Sequence, residues 1–144
     1  YGDGDRDGYG SYAAKWEEWF AADRFAKLES LGASVSEPAY VGAMRMNAGV
    51  FEYWIGMLMA PGTAVPDGFS SADLAAASYG VAWIQGKDDA SLYASHDACM
   101  DAFVKAGWTP AKDAWYIERY VCPRFTQPDE NGEVILDYLV TLEA

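Results

Sequence analysis

The chain has one histidine and two cysteines in 144 residues, and those shortages remove several kinds of chemistry at the outset. Cys99 and Cys122 lack CxxC spacing, so with only His96 to join them they cannot assemble a Cys/His zinc site, and no metal is expected. A Ser–His or Cys–His hydrolase needs a base beside its nucleophile, and one histidine on a helical stripe is poor material for it. No GxSxG, Walker loop or GxGxxG occurs, and no cofactor is implied. Basic residues are scarce as well: ten Lys and Arg against 22 Asp and Glu give a formal charge of −12. A field of that sign repels phosphate backbones and attracts cations, which argues against direct nucleic-acid binding by this segment. Acidic surface also serves plain solubility, so it points to a cationic ligand only weakly. Nothing resembles a signal peptide, and no apolar run approaches the roughly 20 residues of a membrane-crossing helix. No membrane partner is expected, and a reduced cytoplasmic setting is the default.

What the chain has in quantity is apolar and aromatic surface. Hydrophobic residues make up 51% and aromatics 15%, with six Trp and ten Tyr. That is enough for one core, and the rings can line a ligand cavity as well as fill a core. Residues 1–10 combine four Gly with three Asp and predict a mobile lead-in to a single domain over residues 11–144. The DxDxDG-like look of the lead-in lacks the spaced glutamate of a calcium loop.

Apolar residues recur at three- and four-residue steps from Ser11 to Leu31, an amphipathic helix stopped by Gly32. Tyr40–Asn47 and Val50–Met59 read as a hairpin across Ala48-Gly49. Phe69–Leu74 and Tyr79–Gln85 read as a second strand pair, the latter with Tyr79, Val81, Trp83 and Gln85 on one face. A helix over about Ala90 to Ala106 ends at Gly107, and strands follow over Trp115–Pro123 and Glu133–Leu142. Each helix stops at a glycine, and an aromatic strand opens eight residues later, at Tyr40 or Trp115. This spacing suggests two strand–helix–strand–strand repeats, the first of which lacks its opening strand; that strand is expected upstream of Tyr1.

In Trp115-Tyr-Ile-Glu-Arg-Tyr120, strand alternation puts Tyr116, Glu118 and Tyr120 on one face and Trp115, Ile117 and Arg119 on the other. A carboxylate between two phenol rings suits a delocalised organic cation, because ring faces attract positive charge and the carboxylate supplies the counter-charge. A second acid and indole, Glu52 and Trp54, share a face of their strand. Plainer roles exist: for Glu118 an edge-strand acid that pairs with Arg or accepts tyrosine hydrogen bonds, and for Trp54 and Trp83 core packing. His96 reads as a hydrogen-bonded residue at the core edge, and Cys99 and Cys122 as small buried hydrophobes.

Phe51-Glu-Tyr-Trp-Ile-Gly-Met57, Val65-Pro-Asp-Gly68, Tyr79-Gly-Val-Ala-Trp83, Tyr116-Ile-Glu-Arg-Tyr120 and Val134-Ile-Leu-Asp-Tyr138 together resemble the landmarks of the GyrI-like small-molecule-binding family. The resemblance implies an α+β fold of two strand–helix–strand–strand repeats related by a pseudo-twofold. Its curved antiparallel sheet would form a ligand groove, with two helices on its outer side. Such domains sense effectors for helix-turn-helix regulators, which implies an upstream DNA-binding domain, or bind drugs and toxins on their own. The family's groove glutamate falls on Glu118, and its aromatic positions fall on Tyr40, Trp54, Trp83, Tyr116 and Tyr120. Some similar proteins hydrolyse strained-ring electrophilic toxins, in which case Glu118 would be the general base. A third reading is a protein-interaction module, such as a gyrase inhibitor, that binds a basic surface of an enzyme and uses the acidic exterior for steering.

Overall fold

The structure is a computed structural model that describes residues 1–143. Its helices are α1 (Ala13–Ala21), α2 (Arg24–Glu29), α3 (Asp89–Tyr93) and α4 (His96–Lys105), and its strands are β1 (Val35–Asn47), β2 (Val50–Met59), β3 (Tyr79–Gly86), β4 (Tyr116–Val121) and β5 (Val134–Thr141). The fold is α+β. One curved five-stranded sheet runs in the order β2-β1-β4-β5-β3, and every neighbouring pair is antiparallel. No helix of the described residues is long and apolar enough to cross a membrane.

The predicted hairpin is present: Ala48 and Gly49 both have positive φ, 50° and 83°, the pair of left-handed residues that a two-residue turn matched to strand twist requires. Both predicted helices are present but broken. Asp23 takes φ 51° between α1 and α2, and this change of direction brings Phe25 onto the sheet, where it stacks on Tyr40 at 3.8 Å beside Trp19. In the second half, Asp88 caps α3 by accepting the Ser91 N–H at 2.8 Å, and Ala94 and Ser95 separate α3 from α4.

Phe69–Leu74 is a correction, for it forms no strand. It belongs to a loop that follows the turn at Pro66, Asp67 and Gly68, and it is held by contacts other than a ladder. Phe69 packs edge-on to Trp19 at 5.8 Å and lies under the Arg24 guanidinium at 4.3 Å, while Arg24 donates to the Gly68 carbonyl at 2.8 Å. Ser70, Ser71 and Asp73 favour turns over pleated pairing, so an anchored loop wins. Tyr1 exchanges two backbone hydrogen bonds with Tyr53 on the outer edge of β2, at 3.0 and 2.9 Å, and Arg6 lies over the rings of Tyr12 and Phe51.

All four helices lie on one face of the sheet. Small residues on β3 make this fit: Gly80, Ala82 and Gly86 face the helices, with Ile84 between them in the core. A Cβ on Gly80 would stand 3.3 Å from the Phe103 ring, and one on Gly86 would stand 2.4 Å from Ser91 Oγ. The bulky alternating set Tyr79, Val81, Trp83 and Gln85 therefore points the other way. On the helix-covered face α1 and α2 pack over β1 and β2 around Trp19, Phe25, Leu28, Tyr53 and Ile55, while α3 and α4 pack over β3 and β5 around Leu92, Cys99, Phe103, Leu136 and Val140. A third cluster of Val41, Ala43, Trp115, Ile117 and Leu139 fills the opposite face.

Candidate functional site

Between the two helical groups lies a seam over the central strands β1 and β4, and Glu118 stands there. The register fixes its neighbours: Glu118 is opposite Gly42 on β1 and Tyr138 on β5, and Tyr120 is opposite Tyr40. The carboxylate is only 6% exposed, an unusual position for an acid. Tyr120 donates to Oε2 at 3.0 Å, and Tyr93 from α3 lies 3.1 Å from the Tyr120 hydroxyl. Because Tyr120 gives its proton to Glu118, Tyr93 donates in turn to Tyr120, a chain that polarises toward the carboxylate.

The remaining wall comes from both helical groups. Trp16 of α1 meets Tyr120 edge-on at 5.0 Å and donates its indole N–H to Tyr53 at 2.8 Å. Tyr53 in turn stacks on Tyr12 at 3.9 Å. A Cβ on Gly42 would come within 2.7 Å of the Tyr53 hydroxyl and 3.2 Å of Glu118 Oε2, so only glycine leaves room for both groups above that strand. From α4, His96 brings Nε2 to 3.1 Å from Glu118 Oε1 and stacks its ring on Tyr138 at 4.2 Å and 11°. That nitrogen is buried and misaligned, and it completes no hydrogen bond.

The electrostatics follow from burial beside one charge. Desolvation pushes the phenols of Tyr53, Tyr120 and Tyr138 well above their ordinary value, and the Glu118 carboxylate adds to the rise in each. Tyr93 is raised for the same first reason. The site is thus a negative charge ringed by protonated phenols and two flat rings, chemistry that holds a cation or donates hydrogen bonds to an acceptor.

The seven residues singled out in the sequence are divided by the sheet. Glu118, Tyr116, Tyr120 and Tyr40 lie on the helix-covered face; Glu52, Trp54 and Trp83 lie on the other. The reason is parity: Trp54 is opposite Ala43, which is opposite Ile117, so Trp54 follows Ile117 and not Glu118. The expected arrangement with helices outside the groove is likewise corrected, since the helices cover the glutamate. Tyr40 turns its hydroxyl to Glu29 at 2.7 Å, and burial with that bond raises its pKa to about 12. Trp83 is 72% exposed and Tyr116 contributes a ring 6.5 Å from Tyr138.

Glu52 has its own partners: Asn47, Arg45 and Trp54 all donate to it, at 2.7, 2.8 and 3.0 Å, and hold its pKa down at about 2. Asp137, 0% exposed on the same face, is gripped by Arg119 at 2.7 Å and by Arg124. A cavity of about 520 Å³ lies along the outer edge of β2 beneath the 60–74 loop, lined by Trp54, Trp115, Leu58, Phe69 and their neighbours. Its lining is mostly apolar and does not include Glu118.

Sequence reasoning missed Trp16, Gly42, Tyr53, Tyr93 and Tyr138, and gave His96 no role. Tyr53 and Tyr138 sit in the quoted motifs, and correct parity on those strands alone would have found them. Trp16, Tyr93 and His96 arrive through helix packing, which no spacing reveals. Comparison of the chain with protein-family models, curated proteins and solved structures finds no match.

Proposed function

We propose that this chain is a small-molecule-binding domain of the GyrI-like kind that holds a bulky organic cation against Glu118 in the seam between its helical groups. The observation that carries the reading is a nearly fully buried carboxylate that receives one well-formed side-chain hydrogen bond, from Tyr120, inside a box of rings. A charge kept dry with so little compensation weakens a fold, and a ligand cation gives the position a use. Aromatic walls from Trp16, Tyr53, Tyr93, Tyr120 and Tyr138 add cation–π attraction.

The sheet order supports the repeat as well. Read outward from the β1–β4 contact, each side continues with the strand that follows in sequence, β2 after β1 and β5 after β4, and β3 lies outside β5. The matching place on the other side is the outer edge of β2, where the Tyr1 backbone pairs with Tyr53. Within this reading the domain serves as the effector sensor of a transcription regulator or as a stand-alone binder in the reducing cytoplasm, consistent with two free thiols.

The test is a thermal-shift and calorimetric screen of aromatic cations, quaternary ammonium compounds and neutral aromatics on wild type and Glu118→Gln. Cations are expected to stabilise the wild type, with affinity at least about tenfold lower in the variant. Neutral aromatics are expected to bind both proteins alike. Cation binding that is equal in the two proteins refutes the Glu118 site. A second reading, hydrolysis of an electrophilic ligand with Glu118 as base, draws on the His96 ring beside the carboxylate. Glu118-dependent product formation from a strained-ring substrate would favour it over binding alone.

A further inference from the structure

His96 is the only histidine of the chain and the only basic side chain beside Glu118 among the described residues. Three features of its placement stand out. The ring lies flat on Tyr138, 4.2 Å between centroids and 11° between planes. Its Nε2 faces Glu118 Oε1 at 3.1 Å without completing a hydrogen bond. It is the first residue of α4, directly after the Ala94–Ser95 break, and Ser95 makes no side-chain cap. A positive charge on this ring would meet the unfavourable end of the helix dipole, so the position is a poor one for a fixed counter-ion. A planar nitrogen heterocycle stacked on a tyrosine with its nitrogen at a buried carboxylate is what a ligand head group in this site would look like.

We propose that His96 occupies the ligand's own subsite, so that the ligand is a planar, delocalised nitrogen cation which displaces the imidazole from Tyr138 and Glu118. The inference rests on the binding function proposed above and adds two things to it: the head-group class and a pH gate. Planarity is required because the subsite is the space over the Tyr138 ring, which a tetrahedral ammonium fills poorly. The gate arises because imidazolium competes for Glu118 more strongly than neutral imidazole does. Affinity for a cation of fixed charge is therefore expected to be weaker at acid pH in the wild type than in a variant that lacks the imidazole.

Other titratable groups surround His96 or its stacking partner: Glu118, Tyr116 and Tyr120 on β4, Tyr138 on β5, Tyr53 on β2, Tyr93 on α3, and Asp97 and Cys99 on α4. Burial raises Tyr53, Tyr93, Tyr120, Tyr138 and the Cys99 thiol from their ordinary values, further above the range of the test.

The experiment titrates N-methylacridinium, whose charge does not change with pH, into wild type and His96→Ala from about pH 5 to about pH 8. Wild-type affinity is expected to fall toward the acid end of the titration by at most about tenfold per pH unit, while His96→Ala binds more tightly and without that slope. Imidazolium is expected to stabilise His96→Ala by refilling the space over Tyr138, and tetramethylammonium is not. The wild-type histidine resonances give a second readout that needs no variant: saturating dye shifts them as the ring leaves Tyr138. Dye binding that depends on Glu118 yet shows no pH slope and no histidine shift overturns this inference and leaves the binding function standing. No dye binding to either protein at any pH overturns the binding function itself.

Discussion

The two faces of the sheet each bury an acid, and they treat it in opposite ways. On the face away from the helices, Asp137 is 0% exposed and receives Arg119 through Nε at 3.1 Å and Nη2 at 2.7 Å, with Arg124 as a second guanidinium; Arg119 also reaches Glu37 at 2.9 Å. On the helix-covered face, Glu118 has a tyrosine hydroxyl and a misaligned histidine. Arginine forks are rigid and permanently charged, so the first acid is locked into the structure. The second has no such partner and lies where two helical groups meet. Burial alone does not mark a site; burial with the counter-charge missing does.

Asp137→Asn sharpens that contrast most. Removing one member of a buried ionic cluster leaves guanidinium groups uncompensated and is expected to lower the unfolding free energy by about 3 kcal/mol in urea denaturation. Glu118→Gln removes a charge that few groups compensate and is expected to change stability by less than about 1 kcal/mol, or to raise it. Equal losses in the two variants would erase the distinction.

Gly42→Ala probes the crowding above β1. Its Cβ would displace the Tyr53 hydroxyl or the Glu118 carboxylate, and a loss of about 1–3 kcal/mol is expected, with cation binding weakened alongside. An unchanged protein would mean the wall around Glu118 yields easily.

Phenol titration comes next. Tyr53, Tyr93, Tyr120 and Tyr138 have raised values in the folded state, so their contribution to stability is complete below about pH 10, where unfolded tyrosine begins to ionise, and is lost as pH rises beyond it. Ultraviolet tyrosinate absorbance should show a group of phenols that ionise late, and Glu118→Gln should bring Tyr53, Tyr120 and Tyr138 down. The smallest effect is at Glu52. Its lowered pKa contributes stability that is present above the ordinary carboxylate range and is lost as pH falls toward about 2. Glu52→Gln should flatten that acid limb slightly, since the pair with Arg45 is partly exposed and screened.

Much of the fold was legible because it is local. The Ala48-Gly49 turn, the glycine stops at Gly32 and Gly107, and the alternation through Tyr116, Glu118 and Tyr120 all act over a few residues. Phe69–Leu74 failed because Phe69 is an anchor on Trp19 and Arg24, a tertiary contact that overrides strand-like apolar pattern. The site was half legible. Glu118 was singled out from its strand, but Trp54 and Trp83 came from matching strands to a family pattern, whereas the helices approach over small residues such as Gly42, Gly80 and Gly86. His96 and Tyr93 reach Glu118 from helices whose placement no strand motif encodes.

The most direct measurement is calorimetric binding of an aromatic cation and of its neutral isostere to wild type and Glu118→Gln at one pH near neutrality. A cation that loses at least about tenfold in affinity in the variant, while the isostere binds both proteins alike, is the predicted result. A cation that binds both proteins equally, or neither, would contradict the assignment of Glu118 as the counter-charge of a ligand.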